Sequence, residues 1–158
     1  MVQSLIGRLD LVCYDFDGVM TDNRVLVSQD GTEAVWVSRS DGLAIAAIRA
    51  TGLPQIILST ETNLVVAARA AKLRIPVLQG LDDKAQALTS YATENNFDLA
   101  RTVFIGNDVN DLAAMALIAY PIAPADAHPK VQSIAFHVTE AIGGSGVIRE
   151  FYETFLVP

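Results

Sequence analysis

The chain has 158 residues, 51% of them hydrophobic, with 11 basic against 18 acidic side chains and a formal net charge of -7. That length is about one domain's and that composition suffices for one sizeable core, while the acidic balance excludes the clustered Lys and Arg that a nucleic-acid surface needs. The longest apolar runs fall far short of the roughly 20 residues of a membrane span, and MVQSLIGRLD lacks the basic start and long apolar region of a leader, so a soluble, cytoplasmic single domain over residues 1–158 is expected.

LDLVCYD (residues 9–15) reads as a buried strand. It carries Cys13, the single cysteine, which rules out an intrachain disulfide and a cysteine-based zinc site and is expected to fill space beside the strand. The run ends in Asp15 and Asp17, followed by Gly18. Side chains at i and i+2 share a face of a strand, so both carboxylates can meet one ligand beyond its end, and the glycine lets the backbone turn close to that ligand. A bare D-x-D is more often a turn or cap, so this pair acquires chemical meaning only from what else converges on it. In NRVLVSQDGTEAVWVS (23–38), two alternating apolar and polar segments flank Gln29-Asp30-Gly31, the pattern of a β-hairpin. Its Trp36 is expected to be a packing residue; Arg39, just beyond, receives no role.

DGLAIAAIRATG (41–52) places apolar residues on a helical stripe that stops at Gly52, with Pro54 beyond. LPQIILS (53–59) is a second buried strand, ending at Ser59. Helical patterns follow in ETNLVVAARAAKL (61–73) and DDKAQALTSYATENN (82–96), each opening with groups suited to a helix N-terminus. Lys84 stands near the start of the latter, where a cation opposes the helix dipole and needs another reason to be there. RTVFIGND (101–108) is a third strand, and its tip carries Asn107 and Asp108, with Asn110 and Asp111 close behind. Farther on, His128 is expected in a loop and His137 in a strand, and IGGSGVIREF reads as a structural turn into a final helix.

Short strands alternating with helices predict parallel βαβ units, hence an α/β sheet covered on both faces, whose ligands sit at the carboxyl ends of the strands. Those ends carry carboxylates, an amide and a hydroxyl, with Lys84 nearby. Such a set describes an oxygen-ligand site for Mg²⁺ beside a place for a phosphoryl group.

The ordered segments DFDGVMTD, IILST, DDK and IGNDVND resemble the haloacid dehalogenase superfamily of phosphohydrolases, specifically its small capless branch. ADAHP (125–129) and GGSGVIRE (143–150) extend the likeness nearly end to end. The branch holds 3-deoxy-octulosonate 8-phosphate phosphatases, nonulosonate 9-phosphate phosphatases and the C-terminal domains of acylneuraminate cytidylyltransferases. The resemblance implies a Rossmann-like three-layer parallel sheet with the hairpin inserted after strand one, and Mg²⁺ as cofactor. It implies that Asp15 is the nucleophile, that Asp17 is the general acid and base, that Ser59 bonds a phosphate oxygen, and that Lys84 balances charge on an aspartyl-phosphate. The implied metal ligands are the Asp15 carboxylate, the Asp17 carbonyl and residue 107. Position 107 is commonly Asp in the family; Asn107 supplies an oxygen but no charge, and Asp108 and Asp111 become outer or water-mediated partners.

The resemblance further implies a sugar-acid phosphate substrate, with a nonulosonate (sialic acid or 2-keto-3-deoxynononate) 9-phosphate ahead of 3-deoxy-octulosonate 8-phosphate. Glu61 stands where octulosonate phosphatases commonly have Arg, and Arg69 and Lys72 match the nonulosonate pattern. On one helix Glu61 and Lys72 would lie about 16 Å apart. Glu61 is therefore expected to meet its own subunit's substrate, and Arg69 and Lys72 a neighbour's, in a homotetramer assembled through the hairpins. Asn107 favours an alternative, a weakly active accessory domain of an acylneuraminate cytidylyltransferase, which the intact Asp15 and Asp17 disfavour. A response-regulator receiver also groups acids, a hydroxyl and a Lys at a sheet edge, but its phosphoacceptor Asp follows a later strand, where this chain has Ser59.

Overall fold

A computed structural model describes residues 4–157; the ends of the expected 1–158 domain, including the first three residues of the N-terminal segment, lie outside the described residues. The strands are β1 (Leu11–Tyr14), β2 (Leu26–Val27), β3 (Glu33–Ala34), β4 (Gln55–Leu58), β5 (Val77–Leu78), β6 (Thr102–Ile105), β7 (Tyr120–Ala123) and β8 (His137–Val138). The helices are α1 (Arg39–Ala50), α2 (Leu64–Leu73), α3 (Lys84–Asn95), α4 (Leu112–Met115), α5 (Pro129–Ile134) and α6 (Val147–Phe155).

Six strands form one sheet in the order β5-β4-β1-β6-β7-β8, and every pairing in it is parallel. Alternation along the strands builds two cores. Val12, Tyr14, Ile57, Val103 and Ile105 face a layer from α1, α2 and α6, while Leu11, Cys13, Ile56, Leu58 and Phe104 face α3, α4 and α5. Burial on both faces is why β1, β4 and β6 read as continuous apolar runs. The Tyr14 hydroxyl is satisfied within its core, donating to Gln55 Oε1 at 2.7 Å. The expected fold class holds, with strands that stop one to three residues short of the polar tips. Among the described residues no helix is long and apolar enough to cross a membrane.

The hairpin stands apart from this sheet. β2 and β3 pair antiparallel with Leu26 opposite Ala34, and Thr21 bridges to Val37 at its base. Val35 and Val37 pack against the core. Trp36, expected to pack, is instead 79% exposed, with Leu26 at 69% and Val27 at 60%. A two-stranded ribbon has no layer of its own chain beneath its outer face, so those side chains find nothing to bury against. The expectations for Cys13 and His137 match, Cys13 being buried in β1 and His137 lying in β8. His128 caps α5, its Nδ1 accepting the Lys130 N–H at 3.2 Å.

Candidate active site

The three apolar strands β1, β4 and β6 bring Asp15, Ser59 and Asn107 to one edge of the sheet, because parallel neighbours end side by side. Asp15, Asp17, Ser59, Glu61, Asn107 and Asp108 border a cleft of about 150 Å³ there. Asp17 and Glu61 also border a second cleft of about 230 Å³ between the hairpin and α2, so the two spaces adjoin.

Lys84, the first residue of α3, reaches under this cleft. Its buried Nζ donates to Asp15 Oδ1 and to Asp111 Oδ1, each at 2.7 Å. Asp15 Oδ1 also accepts the Phe16 N–H at 2.7 Å, so the other oxygen, Oδ2, is the one left for a ligand. Burial, then the charge of Asp111, push the Asp15 carboxyl up to about 7 against the opposing pull of Lys84. Burial alone would lower the Lys84 ammonium, but Asp15 and Asp111 outweigh it and the net shift is upward. Two acids and one base thus share a buried space.

The Asn107 side chain meets the same point. One atom of its terminal amide lies 2.9 Å from Asp15 Oδ2 and 2.9 Å from the Asp17 carbonyl. With nitrogen in that place the amide donates to both; turned over, it sets its oxygen beside the other two, an arrangement that suits a bound cation. Adjacent ligands of an octahedral Mg²⁺ at its usual 2.0–2.1 Å bonds stand about 2.9 Å apart. The donor set thus fits a hard divalent cation, with one carboxylate charge and two neutral oxygens. Gly18 makes this approach possible: its φ is +83°, and a Cβ there would fall 1.9 Å from Asn107 Nδ2.

Asp17 is half-buried, and its Oδ1 accepts the Thr21 hydroxyl at 3.1 Å. Burial raises its carboxyl above the usual range, partly offset by Thr21 and Lys84 and reinforced by Glu33. Ser59 is buried and its Oγ accepts the Glu61 N–H at 3.1 Å, which leaves the hydroxyl proton to donate into the cleft. Asp108 accepts the Val109 N–H at 2.7 Å. Asp111 is fully buried and lies behind the cleft; its Oδ2 accepts the N–H groups of Asn107 at 2.9 Å and Asp108 at 3.3 Å.

Glu61 does not belong to α2 as the sequence pattern suggested. Asn63 caps that helix, its Oδ1 accepting the Val65 N–H at 3.0 Å, and Glu61 sits in the preceding loop. Arg69 and Lys72 lie outside both clefts: Arg69 donates to the Ser38 carbonyl at 3.0 Å, and Lys72 is exposed. Sequence reasoning missed Thr21, although it lies inside DFDGVMTD, and Glu33, which borders the second cleft from β3 and accepts a bond from Asn63. No spacing signal joins Glu33 to the motifs.

The haloacid dehalogenase-like hydrolase family matches residues 53–151. The chain belongs to that family. Like its relatives this hydrolase is of the capless branch and is a phosphoric monoester hydrolase. The 3-deoxy-D-manno-octulosonate 8-phosphate phosphatase of Yersinia pestis is 30% identical to it over 148 residues, 93% of this chain and 79% of that protein. The crystal structure of a hydrolase of the family from Streptomyces avermitilis superposes with a TM-score of 0.95 at 49% identity, covering 100% of this chain and 90% of the other. That of the 3-deoxy-D-manno-octulosonate 8-phosphate phosphatase of Moraxella catarrhalis, which holds a magnesium ion, a phosphate ion and the sugar acid, gives 0.90 at 26% identity, covering 94% and 88%.

Proposed function

We propose that this hydrolase uses Mg²⁺ to cleave a sugar-acid phosphate through a phosphoenzyme on Asp15. The observation that carries the reading is the convergence of Asp15, Asp17, Ser59 and Asn107 on one cleft, with Lys84 bonded to Asp15 beneath it. The Asp15 carboxylate attacks phosphorus as the ester P–O bond breaks, and Asp17, protonated, gives its proton to the leaving alkoxide. Asp17 as carboxylate then takes a proton from the water that attacks the aspartyl-phosphate, releasing phosphate and restoring both acids. Ser59 donates to a phosphoryl oxygen, and Lys84 balances charge on Asp15. Asp15, the Asp17 carbonyl and Asn107 would hold Mg²⁺, which when bound would supply positive charge beside the phosphoryl group. Asp108 and Asp111 support that site from outside, Asp111 by holding the Lys84 ammonium and the Asn107 backbone.

For the substrate, Glu61 favours a nonulosonate 9-phosphate. Glu61 borders both clefts, as Asp17 does, and its carboxylate can accept from sugar hydroxyl or amide groups. Arg69 and Lys72, outside both clefts, act in this reading on the carboxylate of a neighbouring subunit's substrate. The second reading, 3-deoxy-octulosonate 8-phosphate, is supported by the named relatives from Yersinia and Moraxella. The deciding measurement is kcat/KM on 2-keto-3-deoxynononate 9-phosphate, N-acetylneuraminate 9-phosphate and 3-deoxy-octulosonate 8-phosphate. A nine-carbon preference is expected, and Glu61→Arg should move the ratio toward the eight-carbon acid by roughly tenfold or more. A native preference for the eight-carbon acid overturns the first reading in favour of the second.

The exposed Leu26, Val27 and Trp36 support assembly through the hairpin, since an isolated two-stranded ribbon is marginal in water. Light scattering should give about four times the 16.9 kDa chain mass, and deleting residues 24–37 should lower both mass and activity. A fully active monomer would remove this part of the reading.

A further inference from the structure

No residue of ADAHP or GGSGVIRE lines the cleft, and the proposed chemistry uses none of their side chains. The backbone at Gly143 and Gly144 nonetheless presses on the back of the loop that carries Asp17. A Cβ at Gly143 would stand 2.3 Å from the Gly18 carbonyl oxygen and 2.9 Å from that of Thr21, and one at Gly144 would stand 2.6 Å from the Asp22 nitrogen. The Gly144 N–H donates to the Val19 carbonyl at 3.0 Å. Only a chain without side chains at both positions fits so closely against residues 18–22.

This turn is itself fixed from two sides. Asp126 Oδ1 accepts the Gly143 N–H at 2.9 Å. Glu150 accepts the N–H groups of Glu140 and Ala141, each at 2.8 Å, through its two carboxylate oxygens. On the loop, the Thr21 hydroxyl accepts from the Gly18 N–H at 3.2 Å and the Asn23 N–H at 3.1 Å, and it donates to Asp17 at 3.1 Å. Its proton therefore has one place to go, and the Asp17 carboxylate takes its direction from where the loop lies.

We propose that Asp126, Gly143 and Gly144 are positioning residues for Asp17, holding the Gly18–Asp22 loop so that Thr21 keeps that carboxylate aimed at the leaving-group oxygen. The inference rests on the reading of Asp17 as the acid of the first step. A general acid matters for a poor leaving group and little for a good one, so the test compares a primary alkyl phosphate with p-nitrophenyl phosphate. The rate to follow is first-turnover release of the leaving group, which precedes attack by water. Asp126→Ala should slow release from the alkyl ester by roughly 10- to 100-fold, the scale of a small misplacement, and leave release of p-nitrophenol within about threefold. Asp126→Asn keeps an oxygen for the Gly143 N–H and should restore the alkyl rate. Gly143→Ala drives a methyl group onto the Gly18 carbonyl and puts folding itself at risk, so Asp126→Ala carries the test. Asp17→Asn, measured alongside, separates the two levels. If Asp17→Asn discriminates between the esters and Asp126→Ala slows both alike or neither, the positioning role is overturned alone; if Asp17→Asn does not discriminate, the acid role falls and the inference falls with it.

Discussion

Asp15→Asn should lower kcat on a phosphomonoester by roughly 10⁴-fold or more while leaving the fold intact, as loss of a covalent catalyst does. The fold survives because the amide oxygen can still accept from Lys84 Nζ and the Phe16 N–H, both now at 2.7 Å from Asp15 Oδ1. Lys84 also keeps Asp111, at 2.7 Å, as a partner. What disappears is the carboxylate charge beside Asn107, and with it the nucleophile that would bond phosphorus. The metal site is left without its carboxylate charge, so Mg²⁺ should raise the Tm of the native chain and raise that of the variant far less. Two readouts thus separate chemistry from folding: turnover and Tm with and without Mg²⁺. Turnover within tenfold of native in a well-folded variant would sink the nucleophile assignment.

The parts of this site that the sequence reveals are those whose physics is local. β1, β4 and β6 are buried on both faces, so they stand out as apolar runs, and parallel pairing brings whatever follows them to one edge. β5 is two residues long, too short to alternate, and β7 contains Pro121, which reads as a strand breaker. Glu61 was drawn into α2 because apolar periodicity does not mark where a helix starts; Asn63, as cap, does. Trp36 was assigned to packing on its hydrophobicity, yet its burial depends on a surface that this chain does not supply. Asp111 was legible as one more acid at a strand tip. Its pairing with Lys84, 27 residues away, and its grip on the Asn107 backbone come from the tertiary fold and have no spacing signature.

Lys84→Met should cost both stability and activity, and the stability loss should grow with pH. The Lys84 side chain is 1% exposed and bridges two acids whose side chains are 8% and 0% exposed, so removing the ammonium leaves two carboxylates facing each other without water. Breaking a buried pair in this way costs about 3–5 kcal/mol. Turnover should fall by roughly 10²- to 10³-fold, the usual loss when a fixed donor is taken from a site where charge develops. In the native fold Asp15 is already raised from 3.8 to about 7, with Lys84 among the influences lowering it, so deleting Lys84 lifts it further. A carboxyl with a folded pKa above its unfolded value binds more protons in the folded state, so the fold is favoured as pH falls and loses stability as pH rises from about 4 through the folded pKa. Lys84 itself, raised above 10.5 when folded, contributes fully and evenly across that window. The deficit of the variant should therefore be smaller at pH 5, where the Asp15 carboxyl can protonate, than at pH 8. Urea midpoints of both proteins at the two pH values, measured in chelator, give the comparison. An equal deficit at both would mean that Lys84 stabilises by filling space rather than by charge, and its assigned part in balancing Asp15 would fail with it.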